Sequence, residues 1–132
     1  MSYNAHRKLR VWQEAMILVK VVYKLQSEFP KYETYALCDQ IRRAVVSIPT
    51  NIAEGNARQY EKERRQFFYI ALGSLAELDT LLETALRLGY IQTLQLPDLD
   101  VLGYCETISK MIHGLIRPNG VGSRESEVAG RA

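Results

Sequence analysis

Residues 60–88 read YEKERRQFFYIALGSLAELDTLLETALRL, and this stretch decides the fold. Phe68, Ala71, Leu75, Leu78, Leu82 and Leu86 recur at spacings of three and four, which places them along one face of an α-helix running from about Tyr60 to Leu88. Gly89 follows, free to take the positive φ of a helix C-cap. Tyr90 and Ile91 are then placed to fold back onto the last turn. A helix of this length with one main apolar stripe needs other helices to bury it.

The flanking sequence supplies three more. Upstream, Leu37, Ile41, Ala44, Ile48 and Ile52 form a narrow apolar stripe. Thr34 is the expected N-cap and Gly55-Asn56 the expected end. Pro49 lies inside this pattern. It removes one backbone hydrogen bond and crowds the carbonyl of Val45, so a kink is expected there. Before it, a first helix is expected from about Ala5 to Ser27, with Trp12, Ala15, Met16, Val19, Tyr23 and Gln26 on one face and Phe29-Pro30 as its stop. Downstream, Leu96-Pro97 reads as the start of a fourth helix, with Asp98 and Asp100 favourable at the positive end of the dipole. Val101, Tyr104, Cys105, Ile108, Met111, Ile112 and Leu115 repeat with heptad spacing, and Arg117-Pro118 closes the segment. No stretch reads as a strand. The expected fold class is all-α, an antiparallel up-down four-helix bundle over residues 1–118. Residues 119–132, rich in Gly, Ser and charge, are expected to form a disordered tail.

The chain has 132 residues, 47% hydrophobic and 24% charged, which suits one globular domain. The formal net charge is +2 and the sequence pI is about 8.6. That total is too mild to mark a nucleic-acid binder, so local clusters matter more. Cys38 and Cys105 stand alone rather than in a CxxC pair, and buried free thiols in a reducing compartment are the expectation. The first ten residues are polar and basic, unlike a signal peptide. The most apolar run, Ala15 to Val22, is broken by Lys20 and falls far short of the roughly 18 residues a bilayer requires. A cytoplasmic protein with no membrane contact is expected.

Two helices carry apolar residues on a second side. Ile17 and Val21 lie roughly opposite the Trp12–Val19–Tyr23 row. Ile70, Leu81 and Leu88 lie roughly opposite the Phe68–Leu75–Leu82 row. Leaving five large aliphatic side chains in water forgoes several kcal/mol at about 25 cal/mol per Å². A homo-oligomer that hides them is expected.

Two polar groupings are candidate sites. Gln40, Arg43, Ser47, Asn51 and Glu54 line one side of the second helix, where Ser74 and Glu77 of the third could face them. Arg43 is then a candidate ion-pair partner of Glu54 or Glu77. Half-buried networks of this kind mostly fix register or subunit packing. Arg58, Lys62, Arg64 and Arg65 gather at the start of the third helix near Tyr60 and Tyr69, a pairing of cations with aromatics that suits phosphate contact and base stacking. Glu61 and Glu63 partly neutralise them, and a solvated charged face competes with the nucleic-acid reading. His6, Arg7, Lys8 and Arg10 form a second basic cluster. There is no Gly-rich phosphate loop, no metal-ligand cluster and no nucleophile beside a base. No cofactor, no metal and no enzymatic activity are expected.

The chain resembles the family of 23S rRNA-intervening-sequence proteins. The resemblance is carried by Leu9-Arg10-Val11-Trp12-Gln13, by the long stretch Gln40 to Gly55 with its Ser47-Ile48-Pro49-Thr50-Asn51 centre, by Gly73-Ser74-Leu75-Ala76-Glu77-Leu78 and by Leu88-Gly89-Tyr90-Ile91. It spans nearly the whole chain up to Arg117. It implies a left-handed four-helix bundle that assembles into rings, commonly homopentamers. The chain is also similar to the accessory protein of diversity-generating retroelements, a basic pentameric bundle that engages RNA and a reverse transcriptase. Two functions are therefore expected as alternatives: an RNA- or ribosome-associated scaffold, or a protein-interaction module that presents a ring surface to a partner protein.

Overall fold

A computed structural model describes residues 2–117. The expected tail, residues 119–132, lies outside the described residues. Within them the chain forms α1 (Arg10–Leu25), α2 (Leu37–Ala57), α3 (Glu61–Arg87) and α4 (Val101–Ile116), with short 3-10 turns at Ala5–Lys8, Gln26–Glu28 and Lys31–Glu33. The expected all-helical bundle is what forms.

Successive helices run antiparallel, and single contacts establish it. Ser47 of α2 meets Ser74 of α3, while Gly55, two turns later in α2, meets Phe68, nearly two turns earlier in α3. Likewise Gln26 at the end of α1 donates to the Cys38 carbonyl at the start of α2, 2.9 Å away. Trp12, near the start of α1, lies beside Ala53 near the end of α2. The three-residue link from α2 to α3 only reaches a neighbouring antiparallel helix, whereas the longer links at residues 26–36 and 88–100 carry turns of their own.

The stripes read from α2 and α3 are core. Leu37, Ile41, Ala44, Ile48 and Ile52 are buried, as are Phe68, Ala71, Leu75, Leu78 and Leu82. The stripe read from α1 is displaced by one residue. The row that enters the core is Val11, Ala15, Leu18, Val22 and Leu25. Of the expected row only Ala15 is buried, and Met16 and Tyr23 are exposed. Both rows have helical spacing, and the core took the more aliphatic one, whose side chains fit between α2 and α4.

Three boundaries differ from expectation. Thr34 does not cap α2. It ends the Lys31–Glu33 turn, and the cap position is Ala36. The first free amide of α2 is met instead by Glu33, whose Oε1 accepts from the Leu37 N–H at 3.3 Å. The first helix starts at Arg10, not near Ala5, because Ala5–Lys8 forms a 3-10 turn, whereas α2 passes through the buried Pro49 to Ala57 with no stop there, as expected. The fourth helix starts at Val101, not at Leu96-Pro97, because residues 95–100 form a tiny antiparallel hairpin instead. Gln95 pairs with Asp100 and Leu96 with Leu99. Pro97 and Asp98 occupy the turn between them, where the fixed φ of proline is as welcome as at a helix start. The exit of α3 is as expected. Gly89 has φ 79°, its N–H reaches the Leu86 carbonyl at 3.1 Å, and the Tyr90 N–H reaches Ala85 at 2.9 Å. This double closure satisfies two carbonyls and turns Ile91 into the core.

Candidate functional site

The centre of the polar row on α2 forms, and its ends do not. Ser47 and Asn51 are half-buried against α3. The Ser47 and Ser74 hydroxyls lie 2.8 Å apart. Asn51 Nδ2 donates to the Ser47 carbonyl at 2.8 Å and to Ser47 Oγ at 2.9 Å. An oxygen that accepts from Asn51 is free to donate to Ser74, so the three side chains form a directed chain. The expected pairs of Arg43 with Glu54 or Glu77 are replaced. Arg43 bonds Asp39 at 2.8 Å, and Glu54 takes Arg58 at 3.3 Å. Arg43 and Glu54 are about three turns apart on one helix, roughly 16 Å, whereas each has an opposite charge four residues away. Gln40 and Glu77 are exposed. The row joins α2 to α3 through Ser47 and Ser74 and carries a solvated fringe.

The basic cluster at the start of α3 divides in two. Arg64 is 2% exposed and belongs to the interior. Its Nη1 donates to the carbonyls of Asn56 at 3.1 Å, Gly55 at 3.3 Å and Arg58 at 3.4 Å. Glu61 lies 3.5 Å from its Nε, and its guanidinium sits 5.4 Å from the Phe68 ring centre. A cation that accepts no bonds and donates five is well matched to the orphan carbonyls at a helix C-terminus. Arg64 therefore closes α2 and is withdrawn from the surface set. Close approach makes this possible: a Cβ on Gly55 would lie 2.6 Å from the Phe68 ring. The remaining members, Arg58, Lys62 and Arg65, stay at the surface, with Arg65 partly covered. Arg58 lies 4.8 Å over the Phe67 ring. Tyr60 and Tyr69 beside them are 65% and 56% exposed.

Two members of the N-terminal cluster pack against one aromatic ring, while Lys8 and Arg10 are exposed. Arg7 lies 5.5 Å over Trp12, and His6 meets the same ring edge-on at 5.2 Å. Gln13 Nε2 holds the Arg7 carbonyl at 2.8 Å. Trp12 also heads a groove of about 410 Å³ between α1 and α2, lined by Met16, Val19, Val46, Pro49, Thr50, Ala53 and Glu54. This is where the displaced α1 row resides: it forms one wall of an open apolar groove. Ile17, Ile70 and Leu88 of the second-side rows are 50%, 50% and 55% exposed, while Val21 and Leu81 are partly covered.

Two polar ties escaped sequence reasoning because each joins distant parts of the chain. The Tyr104 hydroxyl bonds the Glu14 carboxylate and, at 3.2 Å, the Glu14 carbonyl. Burial, then this bond, raises the Tyr104 phenol above its usual range. Tyr90 donates to Glu33 at 2.6 Å, with Tyr32 at 3.3 Å behind it, and the Glu33 bond raises its phenol.

Neither thiol is poised for attack. Burial, then the carboxylates of Asp79 and Asp100, push the Cys105 thiol up to about 12. Burial also raises Cys38, opposed by Arg42. A nucleophilic cysteine needs the reverse shift. Among the described residues no group of three His, Cys, Asp or Glu side chains is placed to hold a metal ion, and no helix is long and apolar enough to cross a membrane.

A search of curated proteins finds none that matches. The family model described as 23S rRNA-intervening sequence protein matches residues 7–114. That span runs from the N-terminal basic cluster to the last turn of α4, and takes in the serine–asparagine bonds, the buried Arg64 and the cationic corner beside it. The chain belongs to the family of 23S rRNA-intervening sequence proteins.

Proposed function

We propose that this chain is a non-enzymatic, self-assembling cytoplasmic bundle that presents a cationic surface to RNA. The observation that carries the self-assembly is the pair of apolar rows left outside a filled core. The core is already closed by one face of each helix, yet Met16, Ile17, Tyr23, Val46, Ile70 and Leu88 remain at 40–55% exposure. Rows of this kind on a small soluble bundle favour a second copy as their cover. Subunit number is a separate matter, and the pentamer comes from the resemblance alone. The RNA part is supported by Arg58, Lys62 and Arg65 beside Tyr60 and Tyr69, and by the description of the family. In a ring this surface would repeat, and weak contacts would add. The raised thiols support the absence of a covalent role.

Native mass spectrometry of the purified protein, with and without nuclease, tests both parts. A multiple of the chain mass is expected, and a single copy at high concentration removes the assembly. For RNA, binding that weakens steeply with salt is expected, with loss on Arg58→Glu plus Arg65→Glu. Absence of binding at low ionic strength removes the RNA part. Arg64 is unsuitable for this test because its replacement disturbs the fold.

A second reading, a protein-interaction module, is favoured by the apolar α1–α2 groove under Trp12. It predicts that a protein partner stays bound after nuclease treatment and is lost on Val46→Glu.

A further inference from the structure

The two basic clusters are remote in sequence and adjacent in the fold. Antiparallel packing brings the start of α1, the end of α2 and the start of α3 to one end of the bundle, and the Ala5–Lys8 turn packs against α2. A chain of contacts joins the clusters. Arg7 lies over Trp12, Trp12 and Glu54 line the same groove, and Glu54 holds Arg58, which lies over Phe67. When each helix is divided at its middle, this end carries nine Lys and Arg against four Asp and Glu among the described residues. The opposite end carries six against nine. A net charge of only +2 therefore hides a strong separation along the bundle axis. Part of the acid at the basic end is already engaged, since Glu61 faces buried Arg64 and Glu54 faces Arg58.

We infer that Arg7, Lys8 and Arg10 act together with Arg58, Lys62 and Arg65 as one composite site at the end of the bundle, and that its ligand is the sugar–phosphate chain of unpaired RNA. This rests on the RNA reading above and extends it to the N-terminal turn and to the form of RNA. The field of six cations on one end adds, and the acidic opposite end orients an approaching polyanion. Trp12, Tyr60 and Phe67 stand among these cations. Flat rings between cations suit unstacked bases, which a duplex does not offer and an acidic peptide lacks.

The test is fluorescence anisotropy with a labelled single-stranded uridine RNA of about 20 nucleotides, repeated with a duplex of equal length. Three variants of equal charge change are compared: Arg7→Gln with Lys8→Gln and Arg10→Gln; Arg58→Gln with Lys62→Gln and Arg65→Gln; and, as control at the other end, Lys20→Gln with Lys24→Gln and Arg87→Gln. Circular dichroism checks that each stays folded. Each basic-end triple is expected to weaken single-strand binding about tenfold or more and to flatten its salt slope by roughly 2, at about 0.7 per lost phosphate contact. The control is expected to change little. Loss in the second triple with none in the first overturns the composite site and leaves the RNA reading standing. Equal loss in all three overturns it in favour of bulk charge. Duplex binding as tight as single-strand binding overturns the assignment of unpaired RNA. No binding of either RNA by the unmodified protein overturns both this inference and the reading beneath it.

Discussion

Two glycines in long helices should respond to the same substitution with opposite sign. In a helix interior, Gly→Ala gains about 0.8–1.0 kcal/mol from propensity alone. Gly73 sits on the exposed side of α3, and an added Cβ there would meet nothing within 4 Å. Gly73→Ala should therefore stabilise the protein by close to the full amount, about 1 kcal/mol, raising Tm by roughly 2–6 °C. Gly55 sits in the last turn of α2, where an added Cβ would lie 2.6 and 2.9 Å from two Phe68 ring atoms and 3.1 Å from the Arg64 carbonyl oxygen. Carbon–carbon contacts settle at about 3.5–4.0 Å, so the fit is short by roughly 1 Å. The Phe68 ring is fully buried and has nowhere to swing. The α3 backbone must give instead, against the Arg64 bonds that tie it to α2. Overpacking of this kind costs about 1–3 kcal/mol, which offsets the propensity gain and leaves a net loss of up to about 2 kcal/mol. Urea denaturation of both variants at one protein concentration measures the difference, since self-association would otherwise shift apparent stability. Gly55→Ala should also be less harmful in a Phe68→Leu background, where the ring is gone. A Gly55→Ala protein as stable as Gly73→Ala would refute the close-approach account of the α2–α3 corner.

The other predictions probe the ties around that corner and the buried thiol. Arg64→Met keeps the aliphatic stem but strands three carbonyls, and should cost about 2–4 kcal/mol, whereas Arg65→Met should stay within about 0.5 kcal/mol; equal effects in denaturant melts would place Arg64 at the surface after all. A double-mutant cycle of Ser47→Ala and Ser74→Ala should return a coupling of about 1 kcal/mol, and a coupling of zero would mean the two hydroxyls do not bond. Cys105 should resist iodoacetamide at pH 8.5 until urea unfolds the chain, so prompt labelling of the native protein would contradict its burial. Its thiol is raised from 9.0 to about 12 in the folded state, so as pH climbs above 9 the unfolded chain loses this proton first. The contribution is whole below pH 9 and declines as pH rises toward about 12, which a denaturation series in pH should record as falling stability that Cys105→Ala partly removes.

The parts of the fold legible in the sequence were those where one physical signal had no rival. The α3 stripe is such a case: polar residues separate its apolar positions, and Gly89 marks its end. In α1 apolar residues occupy most of the circumference, so two rows had helical spacing and periodicity could not choose between them. The choice depends on which side chains fit between α2 and α4, a tertiary property. The burial of Arg64 also has a usable signal in the sequence. Arg64 stands four residues before Phe68, in phase with Ala71, Leu75 and Leu78, so the core stripe continues through it. A charged residue at a core position implies buried partners, here the carbonyls that end α2. At such a position register is a better guide than residue type. The hairpin at residues 95–100 was missed because proline at a helix start and proline in a turn exploit the same fixed φ. What decides is the Val101 N–H bonding back to the Leu94 carbonyl, 2.9 Å away. In the polar row burial forces partners on Ser47 and Asn51 at the centre, whereas at the ends water lets each charge take its own i±4 neighbour.

Charge and grease occupy different parts of this bundle, and that separation bears on whether the two proposed roles can coexist. The exposed apolar rows run along the sides of α1, α2 and α3, and the α1–α2 groove opens laterally. The cations collect at one end, near Arg7 and Arg58. Lateral packing of copies would bury the sides and leave the ends open, so assembly and polyanion binding would meet only at the head of the groove, where Trp12 lies under Arg7. In a cyclic assembly whose axis follows the helices, rotation carries every basic end to the same rim. Repulsion between like ends would then oppose closure, with apolar burial along the flanks as the opposing force. The Debye length is about 8 Å at physiological salt, so that repulsion is largely screened beyond near neighbours, whereas the flank contacts are insensitive to salt. A bound polyanion would neutralise the rim that resists assembly, and by linkage anything that binds the assembled rim stabilises the assembly. The two roles would therefore reinforce each other through geometry already present in one chain.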